Sequence, residues 1–272
     1  MDEHRLSIGG QDIAFLESDA DGRPVIFVHG NSSSARTWGP LLDGSFGRQF
    51  RCLALDLPGH GRSAPPRHQS SYSLPGYAAV LVGFAEATGA AGAVVVGWSL
   101  GGHIALEAAP AMPAAAGFVI FGTPPVAAAD QMGQAFLPNP AMNVGFTADV
   151  SQPEASAYAT SFAAPGSALP LEEFIDDILA TDGAARASLL ASIGEGRFAD
   201  ELAIVAKLRQ PLAILHGAGE QLVSLDYLRG LTIPGLWRGE IQLIQGAGHA
   251  PHQETPERFA ALIEQFVAEL DD

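Results

Sequence analysis

The stretch Ala93-Val94-Val95-Val96-Gly97-Trp98-Ser99-Leu100-Gly101-Gly102-His103-Ile104-Ala105-Leu106 decides the fold. It opens as a continuous apolar, β-branched run, the pattern of a strand buried on both faces. It closes as a helix, with Ile104 and Leu106 among Ala105, Ala108 and Ala109. Between them stands G-x-S-x-G, centred on Ser99. A serine hydroxyl is a poor nucleophile until it is exposed, aligned and relieved of its proton. A tight strand-to-helix turn does the first two at the cost of a strained serine backbone. The flanking glycines remove side chains that would clash in so sharp a turn. The helix that follows aims its N-terminal amides at the site and favours negative charge there.

On either side, apolar runs alternate with helical patterns, which predicts a mostly parallel sheet covered by helices. Pro24–His29, Arg51–Asp56, Ala93–Trp98, Gly117–Phe121, Pro211–His216 and Glu240–Gln245 read as strands, and Gln11–Leu16 as an antiparallel edge strand. Tyr77–Thr88 reads as a helix. Another starts at Thr255 and Pro256, with Phe259, Leu262, Ile263, Phe266, Val267 and Leu270 as its stripe. The alternation breaks between about Pro125 and Ala206, where helical spacing recurs at Leu171–Leu179, Ala185–Ile193 and Glu201–Leu208. The expected division is therefore a core of residues 1–125 and 207–272 with a helical lid over 126–206.

A general base belongs late in such a chain, after the last strand. Gly246-Ala247-Gly248-His249 sits there, and its small residues let the loop fold close and aim the His249 ring inward. His252 is the rival and is expected to face solvent or the helix cap. His103 reads as a helix residue near the site and His60 as part of a Gly-rich turn. The acid belongs after the preceding strand, where Gly217-Ala218-Gly219-Glu220 delivers a carboxylate. It would bind the far ring nitrogen of His249 and stabilise the imidazolium. Asp226 is the alternative, inside a predicted helix Ser224–Arg229. An oxyanion hole needs two backbone amides. Leu100 offers one, and Asn31 the other after a turn permitted by Gly30. Asn31 also has a side chain able to bind substrate, while Ser33 or Ser34 would cap the next helix. Asp56, ahead of Ser99 in the chain, is expected to hold its own turn.

Composition closes off other classes. With 30 acidic against 14 basic residues, the net charge of −16 repels nucleic acid and anionic membranes. Cys52, the only cysteine, lies in an apolar run and reads as a buried structural thiol. The N-terminus lacks a signal-peptide pattern and no stretch is long enough to span a bilayer, so the chain reads as soluble and cytoplasmic. Neither H-E-x-x-H nor H-x-H-x-D-H occurs, and no G-x-G-x-x-G follows a strand. No metal, cofactor or obligate protein partner is expected.

These motifs resemble the α/β-hydrolase superfamily over essentially the whole chain. The matching segments are His29-Gly30, Asp56–Ser63, Gly97–Gly102 and Gly248-His249 through Pro256. The resemblance implies an α/β-hydrolase fold with a mostly parallel eight-stranded sheet. His29–Ser34, Leu57–Ser63, Tyr72-Ser73, Gly97–Ile104 with Trp98, and Gly122–Val126 further resemble the metal-independent N-acyl homoserine lactonases of this fold. That likeness implies a glutamate third member, which Glu220 followed by Val223, Leu225 and Asp226 fits. It also implies substrate contacts at Asn31, Trp98 and Tyr158. The expected reaction is hydrolysis of a carboxylic ester, foremost the lactone ring of an N-acyl homoserine lactone, through an acyl-enzyme on Ser99, with Phe136, Phe146, Phe162, Phe174 and Ile178 covering the acyl chain. A general carboxylesterase or perhydrolase-like enzyme is the alternative, and a ligand receptor that lost turnover the reading from another class.

Overall fold

The computed structural model describes residues 1–270. Its strands are β1 (Asp2–Ile8), β2 (Gln11–Glu17), β3 (Pro24–Val28), β4 (Arg51–Leu55), β5 (Val94–Trp98), β6 (Gly117–Phe121), β7 (Leu212–Gly217) and β8 (Gln242–Ile244). They form one sheet in the order β1-β2-β4-β3-β5-β6-β7-β8. β2 pairs antiparallel with β1 and β4, and every later pairing is parallel. Strands β5, β6 and β7 are buried along their whole length, which is why their sequences run apolar without alternation.

The α-helices of six residues or more are α1 (Leu74–Ala87), α2 (Leu100–Ala108), α3 (Gln152–Thr160), α4 (Glu172–Ala180), α5 (Gly183–Gly194), α6 (Glu201–Lys207), α7 (Leu225–Gly230) and α8 (Pro256–Glu269). The stripe predicted for α8 is buried at Phe259, Leu262, Ile263, Phe266 and Val267. Thr255 does not cap it, because its hydroxyl donates to the Pro251 carbonyl instead. Helices α3 to α6 all fall between β6 and β7, so the segment without strands is helical as expected.

The edge of the sheet differs from the sequence reading. β2 is an inner strand, and the exposed edge is β1, whose Asp2-Glu3-His4-Arg5 carries no apolar alternation. A charged edge resists pairing with another chain, and that same charge hides the strand from pattern reading. Cys52 is fully buried in β4, and burial pushes its thiol up to about 12. It is inert packing, as its neighbours imply.

Candidate active site

The turn after β5 is built by close approach. Ser99 takes φ 53° and ψ −116°, a region costly to a side-chain-bearing residue. The strain is held by two backbone contacts. The Ser99 N–H donates to the Phe121 carbonyl at 2.9 Å, and the Thr123 hydroxyl donates to the Ser99 carbonyl at 2.8 Å. A Cβ on Gly97 would lie 2.4 Å from the Gly101 oxygen, one on Gly101 2.1 Å from the Val28 oxygen, and one on Gly102 2.1 Å from Thr123 Oγ1. Leu100 is the first residue of α2, so its amide has no preceding turn to bond.

His249 is 2% exposed, and its Nδ1 donates to Glu220 Oε2 at 2.9 Å. The Glu220 side chain is also 2% exposed, and its other oxygen accepts the Leu222 N–H at 2.8 Å. Burial by itself raises this carboxyl. The charge and hydrogen bond of His249, the Leu222 amide and nearby His216 outweigh burial and hold it below its ordinary value. The two loops touch directly, since a Cβ on Gly217 would sit 2.0 Å from the Gly248 oxygen. Asp226 is exposed in the first turn of α7 and makes no contact with His249.

The structure adds supports that the motifs do not announce. Glu254 bridges the Gly248 amide at 2.6 Å and the Ala164 amide at 2.9 Å, pinning the His249 loop to the segment between α3 and α4. Trp98 Nε1 donates to the His249 carbonyl at 2.8 Å. Trp98 is 1% exposed and lies outside the cavity wall, where its side chain supports the His249 loop. The expectation for His252 is corrected, since it is fully buried rather than facing solvent. Its ring packs 4.6 Å from Trp38 and 4.7 Å from Trp98, and Nε2 pairs with the Thr37 hydroxyl. Burial, with the like charge of His249 second, keeps it neutral. These partners lie far off in sequence, so local reading had no signal for them.

On the opposite side, the Asn31 amide follows Gly30 and has no acceptor among the described residues. The positive φ of this loop belongs to Ser32, not to Gly30. Gly30 is needed because a Cβ there would meet the Trp98 ring at 3.0 Å. The Asn31 side chain donates to the Gly145 carbonyl at 2.6 Å and accepts from the Ser32 hydroxyl, tying the loop to the helical segment. Asp56 holds its own turn as expected, accepting the Ala35 and Arg62 amides at 2.6 and 2.9 Å. Burial raises its carboxyl to about 6, against the pull of those two amides.

Ser99, His249, Asn31, Leu100 and Tyr158 share the wall of one cavity of about 200 Å³. The rest of that wall is largely apolar and includes Phe136, Phe146, Leu189 and Leu222. Phe162 and Phe174 instead pack on Trp98 at 5.4 and 5.8 Å, and Ile178 is fully buried outside the wall. The five apolar residues expected over an acyl chain thus divide between wall and packing.

The alpha/beta hydrolase family model matches residues 25–262. The chain belongs to that family. The N-acyl homoserine lactonase AidH, solved in complex with N-butanoyl homoserine, is 36% identical, with a TM-score of 0.94 over 99% of this chain and 97% of that one. The pimeloyl-[acyl-carrier protein] methyl ester esterase of Methylococcus capsulatus is 29% identical over 93% of this chain and 98% of its own. The non-heme chloroperoxidase of Streptomyces lividans is 29% identical over 87% and 88%. This hydrolase therefore has both lactonase and esterase relatives. Among the described residues, no helix is long and apolar enough to cross a membrane, and no group of three or more His, Cys, Asp or Glu side chains could hold a metal ion.

Gly122 carries a consequence for this geometry. It has φ +61°, and a Cβ there would lie 2.5 Å from His249 Cε1. Gly122→Ala is therefore expected to displace the ring and lower kcat by about 10²-fold, since a misplacement near 1 Å costs that much. Stopped-flow turnover beside a thermal melt checks it. A rate within threefold of the parent would mean that the ring tolerates the intrusion.

Proposed function

We propose that this chain hydrolyses carboxylic esters by way of Ser99, and that its substrate is the lactone ring of N-acyl homoserine lactones. The observation that carries the lactone is the full-length likeness to AidH. A second AidH structure, with a serine replaced by glycine, holds N-hexanoyl homoserine lactone. The cavity supports the same reading, because it sets Ser99 and His249 beside an apolar wall suited to an acyl chain. In this scheme residues 126–206 act as a lid on the core of residues 1–125 and 207–272.

Ser99 Oγ attacks the ring carbonyl carbon while His249 Nε2 takes the hydroxyl proton. The carbonyl oxygen becomes an oxyanion held by the Asn31 and Leu100 amides, and Glu220 stabilises the imidazolium. The ring C–O bond then breaks, and His249 returns the proton to the departing alkoxide. That hydroxyl remains tethered to the acyl group, so protonation has to outpace reclosure. Water next gives a proton to His249 and attacks the acyl-enzyme, releasing N-acyl homoserine and regenerating Ser99. Tyr158 and the Phe136 and Phe146 rings bound the acyl part, and each buried methylene adds up to about 0.8 kcal/mol.

A second reading, hydrolysis of an open-chain methyl ester, is favoured by the likeness to the Methylococcus enzyme. A panel of acyl homoserine lactones and p-nitrophenyl esters of matched chain length separates the two. Higher kcat/KM on the lactones supports the first, and turnover confined to open-chain esters overturns it. None of the proposed steps uses a metal ion, so dialysis against EDTA is expected to leave rate and melting temperature unchanged. Loss of activity restored by a divalent cation would contradict the scheme.

A further inference from the structure

The cavity holds two polar side chains that the proposed reaction leaves unused. His103 and Glu201 both line it. Glu201 is fully buried, and its carboxylate is committed to the protein. One oxygen accepts the Val126 amide at 2.9 Å and the other accepts His103 Nδ1–H at 2.8 Å. The second bond fixes the ring and leaves Nε2 as its open position, without a protein partner among the described residues. The Phe136 ring lies 6.4 Å from the imidazole, in a wall to which Leu, Val, Ile, Met and Phe side chains contribute most of the surface.

We infer that His103, positioned by Glu201, forms a second polar subsite that selects substrates carrying a hydroxyl on the acyl part. The inference rests on the reading that this cavity holds the acyl group. His103 lies four residues after Ser99, and its amide donates to the Ser99 carbonyl at 3.3 Å, so the two stand about one helical turn, about 5.4 Å, apart. A hydroxyl about six bonds from the attacked carbonyl carbon spans such a distance. A hydroxyl also suits the ring in either protonation state, donating to Nε2 of the neutral ring and accepting from the imidazolium. A substrate without it leaves an open polar atom facing hydrocarbon, which costs free energy. A pair serving only to tie α2 to α6 would affect stability and would treat both kinds of substrate alike.

The test is a ratio of kcat/KM values within two matched pairs. One pair is N-hexanoyl and N-(3-hydroxyhexanoyl) homoserine lactone, and the other is methyl octanoate and methyl 6-hydroxyoctanoate. The wild-type protein is expected to favour the hydroxylated member by about tenfold in at least one pair, the discrimination of one good hydrogen bond. His103→Leu should bring that ratio to about one, and His103→Gln, which keeps a hydrogen-bonding group, should restore part of it. If His103→Leu does not fold, His103→Phe carries the same comparison. A wild-type ratio within twofold in both pairs, or a ratio that survives His103→Leu, overturns the subsite. Turnover of the methyl esters alone would refute the lactone reading, and the second pair would still decide the subsite.

Discussion

Ser99→Ala is expected to lose ester turnover by about 10⁴-fold or more while keeping the parent fold and melting temperature. The turn does not depend on the hydroxyl. Its shape is held by the Ser99 backbone contacts to Phe121 and Thr123 and by the three glycines whose missing side chains let β5, β3 and α2 approach. Alanine inherits the same positive φ, so the backbone strain is nearly unchanged. What disappears is the one oxygen in the cavity that stands at the start of α2 with a histidine sharing its wall. The Leu100 and Asn31 amides proposed to hold the oxyanion would survive and leave some catalysis above the solution rate. A p-nitrophenyl ester mixed rapidly with the parent protein should release a burst of nitrophenol equal to the enzyme, and the variant should show none. Full activity in a folded variant would end the serine scheme, and a parent without turnover would favour the receptor reading.

The parts of the molecule that were legible in sequence are those in which local pattern and tertiary role coincide. β5, β6 and β7 read as continuous apolar runs because they are buried on both faces, and their bounds moved by a residue or less. Ser99, His249 and Glu220 each follow a strand through glycines that prove to be points of contact between loops. Hidden were the roles settled by distant partners. His252 looked exposed because nothing near it in sequence reveals that Trp38 and Trp98 enclose it. Glu254 stands just before a helix with nothing in its local sequence to mark it, yet it clamps two backbone amides. Helix α3 escaped because Gln152–Thr160 has almost no apolar face. Its signal was Ser151 with Glu154, a capping box whose carboxylate accepts both the Ser151 amide and hydroxyl. The edge strand β1 had no comparable signal at all.

The acid is where the geometry separates two carboxylates that lie six positions apart in the chain. Glu220 is buried against His249 Nδ1, whereas Asp226 is exposed on α7 and has only solvent to lose. Glu220→Gln keeps the shape of the side chain and removes the charge proposed to stabilise the imidazolium. The new amide can also turn its NH₂ toward Nδ1 and select the wrong tautomer. In serine proteases the corresponding change costs about 10⁴-fold in rate, and a loss of that order is expected here. Asp226→Asn should cost less than about tenfold, as exposed helical carboxylates contribute little. The two variants should also differ in how stability depends on pH. The folded value of Glu220 lies below its ordinary 4.5, so the stability it contributes is present above 4.5 and disappears as pH falls through the depressed folded value. Glu220→Gln should therefore flatten the acid limb of a melting-temperature profile, and Asp226→Asn should leave it unchanged. Rates on one ester at pH 8 and melts between pH 3 and 6 for both proteins provide the measurement. Were Asp226→Asn the crippled variant, the two assignments would have to be exchanged, and the 2.9 Å contact between Glu220 and His249 would be a structural tie alone.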